Sequence, residues 1–242
     1  MNPIIENLLN RKSVRVFENK PIPGDIKQEI LLAAINAPTA GNQQMYTILD
    51  ITDQTIKDRL AITCDNQPFI AKAPMVLLFC ADAQKWYDVF VDCNCNPRNP
   101  GSGDLMLAVD DALIAAQNAV TAAWSLGVGS CYIGDIMEQC EEHRKLLNLP
   151  QYVFPAAMLV FGYPTQQQLD RPKPFRCEMK YIVHENGYHR MEGPELRQML
   201  RKQPEYQTFE EWCQAFCSRK FNSDFSKEMT RSIEVYLNFF RN

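Results

Sequence analysis

The fold of this chain is decided by residues 103–135, which read GDLMLAVDDALIAAQNAVTAAWSLGVGSCYIGD. Asp104 is a good N-cap, apolar or small residues dominate from there to Leu126, and Gly127 supplies a stop signal. This pattern predicts a helix of about six turns, roughly 34 Å long. Because apolar residues leave hardly any face polar, we expect it to be buried nearly all round, partly against a second subunit. A short strand is predicted to follow, ending in a turn where backbone can approach a ligand closely.

The composition narrows the class of protein. A chain of 242 residues with 46% hydrophobic residues can build one sizeable core. A net charge of −4 gives no global reason to bind nucleic acid or anionic membranes, and Asp110 and Asp111 argue against a membrane span for the long helix. Nine cysteines fit reduced thiols better than a disulfide framework. Since the N-terminus also lacks the order of a secretory signal, we expect a cytoplasmic protein.

Helical patterns alternate with short apolar runs along the chain, which predicts an α+β fold around a central mixed sheet. The run from Met75 to Ala81 is wholly apolar, so we expect that strand to be covered on both faces. The chain is expected to divide into a core, residues 1–190, and a C-terminal helical extension, residues 191–242, which is too thin for its own core and packs on the main body. The predicted strands span residues 46–52, 75–81, 128–133 and 156–162.

Two short clusters of cationic side chains stand out in an acidic chain. Arg11, Lys12 and Arg15 form the first, and Arg171 and Lys173 the second. For each residue alone, a solvated surface is the ordinary alternative. Converging on one anion, with a helix end and a serine hydroxyl beside them, they would form a phosphate clamp.

Four segments carry a resemblance to a known family. RKSVRVF (11–17), APTAGNQQ (37–44), GVGSCYIGDI (127–136) and GYPTQQQLDRPKPF (162–175) occur in the order found in the nitroreductase-like flavoproteins. The length, with its helical tail, is similar to the oxygen-insensitive NADPH nitroreductases and FMN reductases. The resemblance implies a nitroreductase-like fold with a mostly antiparallel sheet and a C-terminal excursion.

The resemblance also implies an activity. It indicates a homodimer with FMN bound at the subunit interface, much of which the long helix would form. Hydride would pass from NADPH or NADH through flavin N5 to a small-molecule acceptor, a nitroaromatic, quinone or flavin, in a ping-pong mechanism. No protein acid or base is obligatory, because the cofactor supplies the chemistry.

Residues that match the family's motifs receive roles through the resemblance alone. The FMN phosphate would be held by Arg11, Lys12, Ser13, Arg171 and Lys173. Arg15 and the amide of Gln67 would lie at the pyrimidine side of the flavin. The backbone of the turn at Ile133, Gly134 and Asp135 would face flavin N5. The ring would be lined from the partner subunit by Thr39, Ala40, Asn42 and Gln43.

In longer family members a basic segment of the C-terminal excursion binds the 2′-phosphate of NADPH, and Arg219 and Lys220 are placed for this role. Two alternatives stay open for the function. One is a flavoenzyme dedicated to a single reductive substrate; the other is a slow-turnover flavin-binding or redox-sensing protein. No metal is expected, since Cys93 and Cys95 lack a second spaced pair. Asp110 and Asp111 are expected to make capping interactions or interface salt bridges.

Overall fold

The computed structural model describes residues 1–200 and 207–241. The chain divides into two compact units. The first comprises Met1–Arg171 and Glu228–Asn242, and the second comprises Pro172–Lys227. The division expected from the sequence, residues 1–190 and 191–242, stays a prediction.

The first unit is built on one sheet. Its strands are β1 (Tyr46–Asp50), β2 (Met75–Asp82), β3 (Gly129–Ile133) and β4 (Val153–Gly162). They form a four-stranded sheet in the order β1-β2-β4-β3, and each neighbouring pair is antiparallel. A parallel bridge from Ser13 to Ser130 lies at the β3 edge. The predicted α+β class with a mixed, mostly antiparallel sheet is therefore confirmed.

Strand β2 shows how the sheet is covered. Met75, Leu77 and Phe79 belong to one hydrophobic cluster, whereas Val76 and Leu78 belong to another. Since successive side chains of a strand point to opposite faces, each face of the sheet has its own core. All residues of β2 are buried. This confirms the expectation that the apolar run is covered on both faces.

Helices surround this sheet. In the first unit they are α1 (Pro3–Asn10), α2 (Gly24–Ile35), α3 (Gln54–Thr63), α4 (Pro68–Lys72), α5 (Gln84–Asp92), α6 (Ser102–Ser125), α7 (Cys140–Leu146) and α8 (Gln166–Asp170). The second unit contains α9 (Gly193–Met199) and α10 (Phe209–Lys220). Helix α11 (Asp224–Phe239) belongs to the first unit from Glu228 onward.

Helix α6 begins three residues earlier than expected, with Gly101 in place of Asp104 as the N-cap. Asp104 is its third residue, and the Asp104 carboxylate accepts from the backbone N–H of Gly101 at 2.7 Å. It also receives two hydrogen bonds from Arg98, at 2.6 and 2.9 Å. The prediction that Asp104 is the N-cap was therefore wrong. A carboxylate in the first turn can also accept from a backbone N–H at the start of the helix. The preference for Asp at N-caps therefore does not distinguish the two positions.

The burial of α6 is one-sided. A row of alanines, including Ala108, Ala112 and Ala115, is fully buried against the rest of the core. This helix has the length and composition of a membrane span, but its buried face identifies it as a core helix. On its other side four large apolar residues are exposed in the single chain: Met106, Leu107, Leu113 and Ile114. Burial nearly all round is therefore not reached within one chain, and burial of the exposed side against a second subunit stays a prediction.

The last part of the tail packs in the first unit. Tyr236 is fully buried and Phe240 nearly so. The Tyr236 ring meets Phe154 of β4 edge-on, with centroids 4.9 Å apart, and Phe240 meets Tyr152 at 5.5 Å. These contacts place the end of α11 on the same face of the sheet as α6.

Candidate functional site

The first cationic cluster lies on an extended segment beside β3. The backbone N–H of Val14 donates to the carbonyl oxygen of Ser130 at 2.9 Å, and Phe17 forms a bridge with Pro164. A Cβ on Gly129 would lie 2.6 Å from Cγ2 of Val14. Only glycine at this position lets the segment lie so close to the strand.

The structure brings Arg171 of the second cationic cluster to the first. The ammonium of Lys12 donates to the backbone carbonyl oxygens of Leu169 and Arg171, the latter at 2.6 Å. The backbone N–H of Arg15 donates to Oε1 of the buried Gln168 at 3.2 Å. The stretch at 168–171 and the segment at 11–15 are therefore joined at three points. Lys173 lies in the second unit, so its place in this cluster stays a prediction.

Arg11 is the most informative member of the cluster. Its Nη1 is buried and has no hydrogen-bond partner among the described residues, and the same is true of Oγ1 of Thr165. A guanidinium N–H without an acceptor costs free energy when it is out of water, and an anion removes that cost. Donors of this kind fit the phosphate of FMN.

The cations face the side chains of β3. Burial raises the pKa of Tyr132 to about 12, and the charge of Arg11 opposes that rise. Burial also raises the pKa of the Cys131 thiol, against the charges of Arg15 and Arg11 and a hydrogen bond with Ser13. Both groups stay protonated at neutral pH, so this strand presents neutral side chains beside a concentration of positive charge. That arrangement favours an anion and offers no ionised nucleophile.

The turn after β3 is a 3₁₀ turn, Gly134–Met137, held from two sides. The amide of Gln67 donates to Oδ2 of Asp135 at 2.9 Å. The imidazole of the fully buried His143 donates from Nδ1 to the carbonyl oxygen of Ile136 at 2.9 Å, while its Nε2 accepts from the hydroxyl of Thr63 at 2.8 Å. Burial lowers the pKa of His143, which keeps the ring neutral. The structure thus brings two predicted site residues, Gln67 and Asp135, into contact.

Glu138 lies directly behind this turn. It is 4% exposed, and its Oε1 has no partner among the described residues. Burial, reinforced by the neighbouring carboxylates of Asp135, Asp65 and Glu228, raises the pKa of Glu138 to about 7. A proton on this carboxyl limits the negative charge behind the turn.

The predicted loop at Thr39, Ala40, Asn42 and Gln43 is shaped by unusual backbone. Gly41, Asn42 and Gln44 all have positive φ, near 57°, 55° and 51°. Oγ1 of Thr39 accepts from the backbone N–H of Gln44 at 3.2 Å, which closes the loop. Small or amide side chains tolerate this conformation, which explains the composition of the segment.

Two residues that the sequence reasoning missed hold this loop. Asp111 of α6 is 2% exposed and accepts from the backbone N–H groups of Ala40 at 2.9 Å and Met45 at 3.0 Å. The indole N–H of Trp86 donates to the carbonyl oxygen of Gln43 at 2.6 Å. The expectation of a cap or interface salt bridge was wrong for Asp111. The sequence feature that could have predicted this role is a carboxylate among alanines on a buried helix face. Such a carboxylate must find hydrogen-bond donors.

The loop and the cationic cluster have different neighbours. The loop is attached to α5 and α6, whereas the cluster is attached to β3 and α8. Arg219 and Lys220 lie in the second unit, in the last turn of α10. There they rest over Phe216 and Phe225, at 5.3 and 5.1 Å from the ring centroids. Their role toward a nicotinamide cofactor stays a prediction.

Among the residues that the structure describes, no further group of metal-ligating side chains stands beside the cations, the turn and the loop. Each of the nine cysteines is a free thiol. Over residues 1–200 and 207–241, no group of three or more His, Cys, Asp or Glu side chains is arranged to hold a metal ion. The candidate functional site therefore consists of the cationic cluster, the turn after β3 and the loop at 39–43.

Comparison with known proteins gives consistent matches. The model of the family described as the nitroreductase family matches residues 8–163. A Bacillus subtilis protein named FMN reductase (NAD(P)H) is 28% identical over 238 residues, covering 98% of this chain and 91% of that protein. The oxygen-insensitive NADPH nitroreductase of Salmonella typhimurium is 31% identical over 206 residues, covering 85% and 83%. The solved structure of the NADPH:FMN oxidoreductase from Vibrio harveyi, complexed with NAD⁺, has a TM-score of 0.82 and 25% identity, covering 98% of both chains.

Proposed function

This chain belongs to the nitroreductase family, and on that basis we propose how its residues serve an NAD(P)H-dependent FMN oxidoreductase. The resemblance in the sequence is thereby confirmed at the level of family, fold and enzyme class. The relatives named as FMN reductase and NADPH nitroreductase support FMN as the cofactor and NAD(P)H as the donor. The residue roles, the dimer and the kinetic order are our proposals.

The observation that carries the proposal is the unpartnered Nη1 of Arg11. Arg11, Lys12 and Ser13 would hold the FMN phosphate together with Arg171, and the role of Lys173 stays a prediction from the resemblance. The contacts of Lys12 with the backbone at Leu169 and Arg171 support this grouping. Several cationic donors around one site bind a dianion far better than scattered surface cations do.

The turn and the loop hold the ring. The backbone N–H groups at Gly134 and Asp135 would hold the ring near its N5, with Ile133 leading into the turn, while Gln67 fixes the Asp135 side chain. Thr39, Ala40, Asn42 and Gln43 line the ring bound to the other subunit. The attachment of this loop to α5 and α6, away from β3, supports its contribution to a different site from that of its own cationic cluster.

When bound, FMN would supply hydride transfer between NAD(P)H and an electron-poor acceptor such as a nitroaromatic, a quinone or free flavin. The protein contributes position and charge. Arg15 lies beside the pyrimidine edge, where fixed positive charge favours the negative charge that develops on reduction. Since one flavin would serve the donor first and the acceptor second, we expect a ping-pong kinetic order. Arg219 and Lys220 bind the 2′-phosphate when the donor is NADPH.

The protein works as a homodimer. Met106, Leu107, Leu113 and Ile114 leave an apolar stripe exposed on α6 in the single chain. Burying such a stripe against its symmetric copy removes apolar area from water at roughly 25 cal/mol per Å². It also brings each loop at 39–43 toward the other chain, as the shared site requires.

The test is an anaerobic titration of the purified protein with NADPH and then NADH, followed by visible absorption. The proposal predicts a yellow protein with one FMN per chain that is bleached by one equivalent of donor and recovers its colour with 1,4-naphthoquinone. Parallel lines in double-reciprocal plots would support the ping-pong order. Tight FMN binding without donor oxidation would instead favour a redox-sensing role.

A further inference from the structure

We propose that a cavity between α5, the segment at 93–101 and the start of α6 is a second small-molecule site, and that it takes a neutral, planar aromatic compound. Its volume is about 400 Å³, which is within the usual range for sites that bind small molecules. It shares only Gln43 with the residues proposed to hold FMN.

The lining favours an aromatic occupant. Trp86, Tyr87 and Phe90 of α5 all face the cavity, with Met45 beside them. The rings of Trp86 and Phe90 have centroids 5.5 Å apart and are tilted by 38°. Two rings set at an angle, with a thioether nearby, accept a third ring in stacked and edge-on contact.

Four polar side chains at the cavity are already partnered, which favours a neutral occupant. The indole N–H of Trp86 donates to Gln43 at 2.6 Å, and the hydroxyl of Tyr87 donates to Oδ1 of Asn99 at 3.3 Å. The two charged lining residues, Arg98 and Asp104, form an ion pair with each other. An ionic ligand would have to break that pair, whereas a neutral ring needs only the aromatic faces.

The occupant would touch the loop that we assign to the flavin. Gln43 and Met45 form one wall of the cavity, and Trp86 and Asp111 hold them in place. A ring packed against this wall stabilises the loop, so binding of the aromatic compound and of FMN should each strengthen the other. This last consequence rests on the proposed function, but the binding site itself does not.

The test uses calorimetric titration of the FMN-saturated protein with 2-naphthol, a neutral two-ring compound at pH 7 that flavin does not reduce. Cys95 is exposed and lines the cavity, whereas Cys93 is exposed and does not. Cys95→Phe fills the mouth and should weaken 2-naphthol binding by at least about tenfold, which corresponds to about 1.4 kcal/mol. Cys93→Phe is the matched control and should leave it unchanged.

A second pair removes part of the lining without filling the cavity. Phe90→Ala should weaken 2-naphthol binding, whereas Val91→Ala, at an exposed neighbour that does not line the cavity, should not. Equal affinity of the wild type, Cys95→Phe and Phe90→Ala would overturn the proposal, because the compound would then bind elsewhere, for example over the flavin. Failure of the wild type to bind 2-naphthol would also overturn the proposal. If Cys95→Phe were then monomeric, the reason would be that a second subunit covers the cavity.

The same samples separate this proposal from the proposed function. FMN stoichiometry and NADPH oxidation are measured beside the titration. If the protein neither binds FMN nor oxidises NADPH, while Cys95→Phe still weakens 2-naphthol binding, the enzyme function fails and the aromatic site stands. If FMN chemistry is intact in all variants and 2-naphthol binding ignores the substitutions, the aromatic site fails and the function stands.

Discussion

The carboxylate of Asp111, in the middle of α6, accepts a hydrogen bond from the backbone N–H of Ala40 at 2.9 Å across 71 residues of sequence. Its second oxygen accepts a hydrogen bond from the backbone N–H of Met45 at 3.0 Å. One buried side chain thus holds both ends of the loop proposed to line the flavin. The helix that carries the exposed apolar stripe therefore also positions part of the cofactor site.

Asp111→Ala should destabilise the protein and weaken FMN binding. Two backbone N–H groups lose a charged acceptor inside the core, which should lower the free energy of unfolding by about 3 kcal/mol. Denaturant titration with and without FMN measures this. Asp92→Ala, at an exposed position at the end of α5, should change it by less than about 0.5 kcal/mol. Similar values for the two variants would argue against the loop anchor.

Gly129→Ala should displace the cationic segment. The added Cβ would lie 2.6 Å from Cγ2 and 2.9 Å from Cβ of Val14, so the backbone of that residue must move and not only its side chain. We expect FMN affinity to fall by at least about tenfold, or about 1.4 kcal/mol, as measured by quenching of flavin fluorescence. Gly103→Ala, where a Cβ meets nothing within 4 Å, should retain FMN. Unchanged FMN affinity in Gly129→Ala would count against the placement of the segment.

Glu138 should give the stability a distinct pH dependence. Burial raises the pKa of this carboxyl from 4.5 to about 7. Between those values the folded chain holds the proton and the unfolded chain does not, so the stability from this group falls as the pH rises. Glu138→Gln removes that slope and should raise the free energy of unfolding above pH 7 by on the order of 2 kcal/mol. Glu234→Gln, at an exposed position on α11, serves as the control; identical pH profiles for wild type and Glu138→Gln would refute this assignment.

The apolar stripe on α6 should be needed for assembly. Leu113→Asp places a charge that must be desolvated in the proposed interface, so we expect a monomer by light scattering coupled to size exclusion. FMN retention should fall when the dimer is lost, because each flavin ring would need the loop at 39–43 of the other chain. Ile62→Asp makes the same change at an exposed residue of α3 and should leave a dimer. A dimeric Leu113→Asp protein with FMN bound would place the interface elsewhere.

Local sequence patterns predicted the elements in which burial on one face or on both faces determines the residue types. The apolar run of β2 and the alanine-rich stretch of α6 both led to the correct element. The bridge between Ser13 and Ser130 and the link from Asp111 to Ala40 were not predictable in this way, since they join segments far apart in sequence. The motif at 11–17 pointed to the cations, but only the structure shows that Arg11 keeps a buried N–H without a partner.

The most direct measurement compares the binding of FMN and of riboflavin, which lacks the phosphate, to the wild type and to Arg11→Met. If Arg11 and its neighbours hold the phosphate, the wild type should prefer FMN by on the order of a hundredfold, and Arg11→Met should lose about tenfold in FMN affinity while riboflavin affinity stays the same. Thermal unfolding with excess FMN shows whether the variant remains folded. Equal loss of both ligands in Arg11→Met, or a wild type that binds both equally, would contradict the phosphate site and with it the account given above.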